Sequence, residues 1–273
     1  MNLINFLQNL YVYFFSKRMF YFLNKSLLHL TLKCLGYKNH GSFFITGEKY
    51  LINKLREFNI RLSLDIGAHH GLYSKLLLEK TQSKVIAFEP FKENCKKIKN
   101  LNKDNIGRIS IKEIALSNER KIKKIYFFNK QSQLSSLIND INKFTYNKNK
   151  KLRYMKIKTD KLDNCIDKEL KNFKCKIDLI KVDTEGHEYE VLLGAEKTIK
   201  KHKPKFIQIE MNWHNLFSNK NIFSFSKILN NYKFYIILPF NSGLRKIEVN
   251  SPNNNIYHLS NFLCVRNDII KFF

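Results

Sequence analysis

Arginine is scarce for a chain this basic. The 273 residues carry 49 Lys+Arg against 23 Asp+Glu, a formal net charge of +26, yet only eight of the 49 are arginine. Arginine reads guanine edges and clamps phosphates with paired hydrogen bonds, so a dedicated nucleic-acid reader would use more of it. The lysines run along the whole chain amid abundant Asn, Ile and Phe, with no confined basic stripe. A nucleic-acid partner is therefore disfavoured, and a general attraction to anionic partners remains. No Cys-x-x-Cys occurs, and the five cysteines (Cys34, Cys95, Cys165, Cys175, Cys264) are odd in number and widely spaced. That pattern indicates neither a disulfide framework nor a zinc site; it points to reduced thiols in a cytoplasmic protein. With 44% hydrophobic and 14% aromatic residues, intrinsic disorder is excluded as well.

A membrane-spanning run is also missing from the N-terminal stretch. Residues 1–16 carry no charged side chain, but Asn5, Gln8 and Asn9 interrupt them and Lys17 and Arg18 end them, short of the ~20 residues a span requires. The positive charge follows the apolar stretch, whereas a secretory signal places it first. Leu3, Phe6, Leu7, Leu10 and Phe14 recur at helical spacing and predict an amphipathic helix. Two uses of it compete. It packs on the globule or another subunit, or it lies on a membrane surface with Lys17, Arg18 and Lys25 toward anionic headgroups. The expected division is an aromatic helical extension over 1–42, with peripheral membrane contact through 1–25, and one domain over 43–273.

From residue 43 strands and helices alternate. Helices are expected over 48–58, 72–80, 91–101, 188–201 and 222–232, and strands over 61–67, 84–89, 109–116, 177–182, 206–210, 234–238 and 262–265. Residues 121–128 alternate like an exposed strand, and the polar stretch 129–151 is a candidate lid. Such alternation predicts an α/β fold: a seven-stranded, mostly parallel Rossmann-like sheet with helices on both faces.

In such a sheet ligands bind beyond the carboxyl ends of the strands. The first strand ends in Asp65-Ile66-Gly67-Ala68-His69-His70-Gly71, and two glycines there let a ligand approach the backbone. The second ends in Phe88-Glu89-Pro90, with Glu89 22 positions after Gly67, placed to accept hydrogen bonds from ribose hydroxyls. A dinucleotide site needs Gly-x-Gly-x-x-Gly under its pyrophosphate. Here His69 stands at the second glycine position, and Asp65 precedes the first glycine. A carboxylate at that place repels pyrophosphate and suits the ammonium of a methionine moiety, so S-adenosyl-L-methionine fits where NAD does not.

These residues resemble the FkbM family of S-adenosylmethionine-dependent methyltransferases, within the Rossmann-like class I enzymes. The resemblance rests on Leu64-Asp-Ile-Gly-Ala-His-His-Gly71, Ala87-Phe-Glu-Pro90, Ala115-Leu-Ser117, Thr159-Asp-Lys-Leu-Asp163 and Leu193-Gly-Ala195. It rests above all on Asp178-Leu-Ile-Lys-Val-Asp-Thr-Glu-Gly-His-Glu188. His69-His70 departs from the family, which usually places Asn and a small apolar residue there. The resemblance implies that Asp65, Gly67, Ala68, His69 and Gly71 surround the methionine end, that Glu89 holds the ribose, and that Ala115 and Leu116 lie against the adenine. Methyl transfer aligns donor and acceptor in line and removes a hydroxyl proton. Asp183 is the first candidate base, then Glu185, with His187 and Glu210 behind them. Two or three of these carboxylates could instead hold a divalent metal, and Glu188 and Glu190 read as acids opening a helix. Trp213 and His214 are candidates for an acceptor pocket, and Gln131 to Ser136 resembles the family's Ser-rich segment. The implied acceptor is a saccharide or glycan hydroxyl; the alternatives are another small metabolite, or a non-catalytic membrane-surface or nucleic-acid-binding role on the same fold.

Overall fold

Short apolar runs closed by glycine or acidic residues build the sheet. A computed structural model of the chain describes residues 2–128, 135–143 and 151–272. Helices α1 (Leu3–Phe15), α2 (Tyr21–Cys34) and α3 (Glu48–Arg56) precede strand β1 (Leu62–Ile66), which is buried at all five positions. Then follow α4 (Leu72–Lys80), β2 (Lys84–Phe88), α5 (Lys92–Leu101) and β3 (Ile109–Lys112). Strands β4 (Ala115–Leu116), β5 (Lys121–Phe127) and β6 (Arg153–Asp160) form a separate three-stranded sheet. The chain returns through α6 (Leu162–Phe173), β7 (Leu179–Val182), α7 (Glu188–Leu193), α8 (Glu196–His202) and β8 (Phe206–Met211). It ends with α9 (His214–Ser218), α10 (Ile222–Ile228), β9 (Tyr232–Ile237), β10 (Leu244–Lys246) and β11 (Ser260–Arg266).

The main sheet has the order β10-β9-β11-β8-β7-β1-β2-β3. Strands β8, β7, β1, β2 and β3 are parallel, and β11 lies antiparallel between β8 and β9. The fold is thus the expected α/β, mostly parallel sheet, with eight strands rather than seven: the three-residue edge strand β10 pairs with β9. Side chains alternate across the sheet. Leu64, Ile66, Ile180 and Val182 meet α6, α7, α8 and α10 on one face. Leu179, Val85 and Phe206 meet α3 and α4 on the other.

Three expectations change in detail. The strand over 109–116 divides, because a turn at Ile114, whose N–H donates to Lys112 O at 2.9 Å, sends 115–116 into the second sheet. The helix over 188–201 breaks into α7 and α8 at Gly194, where a Cβ would lie 2.0 Å from the Ser117 carbonyl oxygen. Strand β6 and helix α6 were not anticipated. Of the candidate lid, 129–134 and 144–150 lie outside the described residues. Among the described residues, no helix is long and apolar enough to cross a membrane.

Candidate active site

The chain leaves β1 for β2 and β3 on one side and later crosses to β7 on the other, so the crevice between β1 and β7 is a topological switch point, where open α/β sheets bind ligands. A cavity of about 510 Å³ opens there, within the range of small-molecule sites. Gly67, with φ +82°, packs so close to β7 that a Cβ would sit 1.8 Å from Asp183 O. His69 also takes positive φ, and its N–H donates to Glu89 Oε2 at 2.9 Å. Glu89 Oε1 accepts from Phe91 N and Asn94 Nδ2, each at 3.0 Å. Burial raises the Glu89 pKa from 4.5 to about 7, against the pull of those three donors.

Gly67, His69, Glu89, Ala115 and Leu116 line the cavity, with Phe88 and Ile125 as further apolar wall. Ala68 and Gly71 do not; Gly71 packs against Ile98 on α5. Asp65 stands behind the turn. Its neighbours Leu64 and Ile66 face the other layer, so alternation turns its carboxylate under α4, where Oδ2 accepts from Ser74 Oγ at 2.6 Å.

That hidden face carries a polar layer which the sequence reading missed. Asp65, Lys181 and Gln208 are register partners on β1, β7 and β8. Lys181, 5% exposed, lies 4.7 Å from the Tyr73 ring centroid and donates to Asp183 Oδ2 at 2.7 Å. Gln208 accepts from Tyr73 OH at 2.6 Å and donates to Glu48 Oε1 at 2.8 Å and Asn261 Oδ1 at 3.0 Å. Burial works to lower the Lys181 pKa, but Asp183, Glu48, Asp65 and Glu210 outweigh it and hold the ammonium well above its ordinary value. The available signal was a lysine inside Leu179-Ile-Lys-Val182, a strand otherwise wholly apolar.

At the other end of the cavity the candidate bases converge. Ligand oxygens of Asp183, Glu185 and Glu210 lie within 4.8 Å of one another. Burial first, then Asp183 and Glu185, hold Glu210 well above the usual carboxylate range. Glu185 sits at φ +55°; its Oε2 accepts from Asn212 Nδ2 at 2.7 Å and lies 3.0 Å from His214 Nδ1. Three such oxygens suit a hard divalent cation, but Lys181 already supplies positive charge at Asp183. His187 lines the cavity with Nε2 3.0 Å from Ser117 Oγ. Burial, then Lys123, push its pKa down to about 3, so its proton affinity is far below that of an effective base near neutrality.

Glu188 opens α7, and its Oε1 accepts from Thr184 N and Gly186 N, each at 2.9 Å, closing the 183–188 turn. Trp213 lines the cavity; His214 is buried against Glu185. Of the Ser-rich segment, 131–134 lie outside the described residues, Ser135 lines the cavity, and Ser136 Oγ donates to Glu185 O at 2.5 Å.

Among solved structures the chain is similar to an O-methyltransferase from Bacillus cereus in complex with SAH, at 10% identity and TM-score 0.44, over 89% of this chain and 90% of that one. It is also similar to a methyltransferase from Geobacter sulfurreducens (13% identity, TM-score 0.40, 81% and 77% covered). A third is a ribosomal protein L11 methylase from Lactobacillus delbrueckii subsp. bulgaricus (12%, 0.39, 83% and 80%). No curated protein matches the chain. Residues 65–236 match the methyltransferase FkbM domain, a stretch that holds the glycine turn, Glu89 and the three clustered carboxylates. The chain belongs to the FkbM methyltransferase family.

Proposed function

We propose that the protein is an S-adenosylmethionine-dependent O-methyltransferase acting on a hydroxyl of a neutral saccharide. The observation that carries this is the charge of the cavity. Five carboxyl groups (Glu48, Glu89, Asp183, Glu185, Glu210) and one ammonium (Lys181) line it, inside a chain of net charge +26. Carboxyl oxygens accept hydrogen bonds from hydroxyls in either protonation state, and the ionised ones repel phosphates. Trp213 and His40, with ring centroids 5.9 Å apart, add flat apolar faces beside them.

The residues fit the cofactor. Glu89 would accept from the ribose hydroxyls, and Phe88, Leu116 and Ile125 would face the adenine. When bound, S-adenosylmethionine supplies a methyl group on a sulfonium, open to in-line attack by oxygen. Alignment of the acceptor is worth about 7 kcal/mol or more. Lys181 holds Asp183 Oδ2, which would leave Oδ1 to take the proton of the acceptor hydroxyl. Replacing Asp183 with Asn lowers kcat by about 10²- to 10⁴-fold, with cofactor affinity kept within ~3-fold. Single-turnover transfer of labelled methyl to a panel of neutral and anionic sugars measures this, and unchanged turnover removes Asp183 from the role.

Glu89 gives a second test. Its folded pKa lies above the free value, so its contribution to stability is present at low pH and lost as pH rises from 4.5 toward about 7. Cofactor affinity runs the other way, because the ionised carboxylate is the better acceptor for two hydroxyls. Calorimetric titrations with S-adenosylmethionine on either side of pH 7 should show weaker binding below it. Glu89→Gln should bind weakly with a flat profile. A pH-independent wild type refutes the ribose contact.

A further inference from the structure

Helices α1 and α2 hold the largest unexplained feature of the molecule. Of the 25 exposed large hydrophobic residues among those described, 17 lie between Leu3 and Leu35. Leu32 is the only buried residue in either helix. At about 100° per residue, Leu3, Ile4, Phe6, Leu7, Leu10 and Phe14 fall within roughly half the circumference of α1, opposite the uncharged polar row Asn5, Gln8 and Asn9. The pair is joined as a unit: Tyr11 OH donates to Asn24 Oδ1 at 2.7 Å, Asn24 Nδ2 donates to Phe15 O at 2.8 Å, and the Phe15 and Phe20 rings meet edge-on at 4.9 Å. At their elbow Lys17 and Arg18 line a concavity of about 470 Å³. On α2, Leu23, Leu27 and Leu30 share one face, and Lys25 stands on the other.

Charge identifies what covers this surface. Residues 1–47 contain five Lys/Arg (Lys17, Arg18, Lys25, Lys33, Lys38) and no Asp or Glu. Two copies brought together here would oppose five positive charges with five more, and an apolar face half a helix wide exceeds the narrow seam of a paired helix. An anionic bilayer satisfies both features: the apolar face enters the headgroup boundary and the lysines meet phosphates. With 13 residues, α1 is ~20 Å long against ~30 Å of hydrocarbon, so it lies in the surface rather than crossing it.

The same helices lead directly to the cavity. After α2, Tyr37 is fully buried and pairs with Ser260, and Lys38 N donates to Leu259 O at 2.7 Å. His40, Gly41 and Phe43 then line the cavity, beside the exposed, edge-on pair Phe44 and Phe240. We propose that α1 and α2 form a monotopic docking surface for an anionic lipid bilayer, which holds the mouth of the cavity at headgroup level.

Flotation of the full chain with vesicles tests the first half. The protein should rise with phosphatidylcholine vesicles containing phosphatidylglycerol, and bind pure phosphatidylcholine at least tenfold more weakly. Lys17→Gln/Arg18→Gln/Lys25→Gln should lose about 100-fold in affinity for the anionic vesicles at low salt. Phe6→Asn/Leu10→Asn/Phe14→Asn should lose binding to both kinds, with circular dichroism and S-adenosylmethionine affinity unchanged. A wild type that stays with the protein-only fraction, or that sediments as an oligomer dissolved by the second variant without binding vesicles, overturns the proposal. Trp213, the single tryptophan, lies in the cavity wall and reports the orientation. Its emission should transfer to dansyl-labelled headgroups on binding; flotation without transfer refutes the placement of the mouth. None of these readouts requires methyl transfer, so a failure to bind S-adenosylmethionine would fell the proposed function and leave the docking surface standing.

Discussion

Lys181→Met destabilises the protein by about 3–5 kcal/mol, because it strips the counter-charge from a buried set of carboxylates. Against a total stability of about 5–15 kcal/mol this is a large fraction. The ammonium pairs with Asp183 at 2.7 Å and is held charged by Asp183, Glu48, Asp65 and Glu210. Without it Glu48, Asp65 and Glu210 must take up protons to remain buried, which lifts their folded pKa values further above those of the free groups. Raised carboxylate values favour folding at low pH and oppose it as pH rises. The gap between wild type and variant should therefore widen from about pH 5 to pH 8. Urea denaturation at the two values measures it. A gap independent of pH would mean that Lys181 acts through packing alone.

Gly67→Ala should abolish cofactor binding and cost about 3 kcal/mol or more of stability. Two penalties combine: a positive φ costs a non-glycine residue about 1–2 kcal/mol, and the new methyl meets the Asp183 carbonyl at 1.8 Å. That oxygen belongs to backbone at the end of β7, so relief requires β1 and β7 to part at the cavity floor. Gly107→Ala separates the two terms. Gly107 has φ +89°, but a Cβ there meets nothing within 4 Å, so it carries the conformational penalty alone. Equal losses in the two variants would show that the clash at Gly67 is relieved without consequence.

The parts of the fold set by local chemistry were legible. Apolar runs ending in Gly67, Glu89 and Asp183 placed β1, β2 and β7 within a residue or two, and the α4 bounds match those expected. Features set by distant partners were not. Gly194 looks like a tolerable helix residue until Ser117, nearly 80 positions earlier, occupies the space of its side chain. Asp163 lies in the first turn of α6 and accepts from Thr198 N at 2.7 Å on α8, so its role depends on a partner 35 positions away. Strand β6, Arg-Tyr-Met-Lys-Ile-Lys-Thr-Asp, buries only Ile157 and Thr159 and exposes its lysines, so its alternation passes for a solvated segment. At the site, the carboxylates at strand ends were named from position alone, and three of them do converge. Glu48 and Gln208 escaped notice because each gains meaning only from the other, 160 residues away.

The ladder between β5 and β6 bears on how such a sequence tolerates change over time. Seven residue pairs, from Lys121–Thr159 to Phe127–Arg153, hold the two strands in register. Chain added or deleted beyond the last pair leaves every strand of the main sheet where it was. Homologous sequences should therefore vary in length between Phe127 and Arg153 more freely than anywhere from Leu62 to Phe127. Ser136, which pairs with Tyr126 and donates to Glu185 O, marks the portion whose spacing stays fixed. The hairpin is a site where lineages can diverge while the glycine turn is inherited intact.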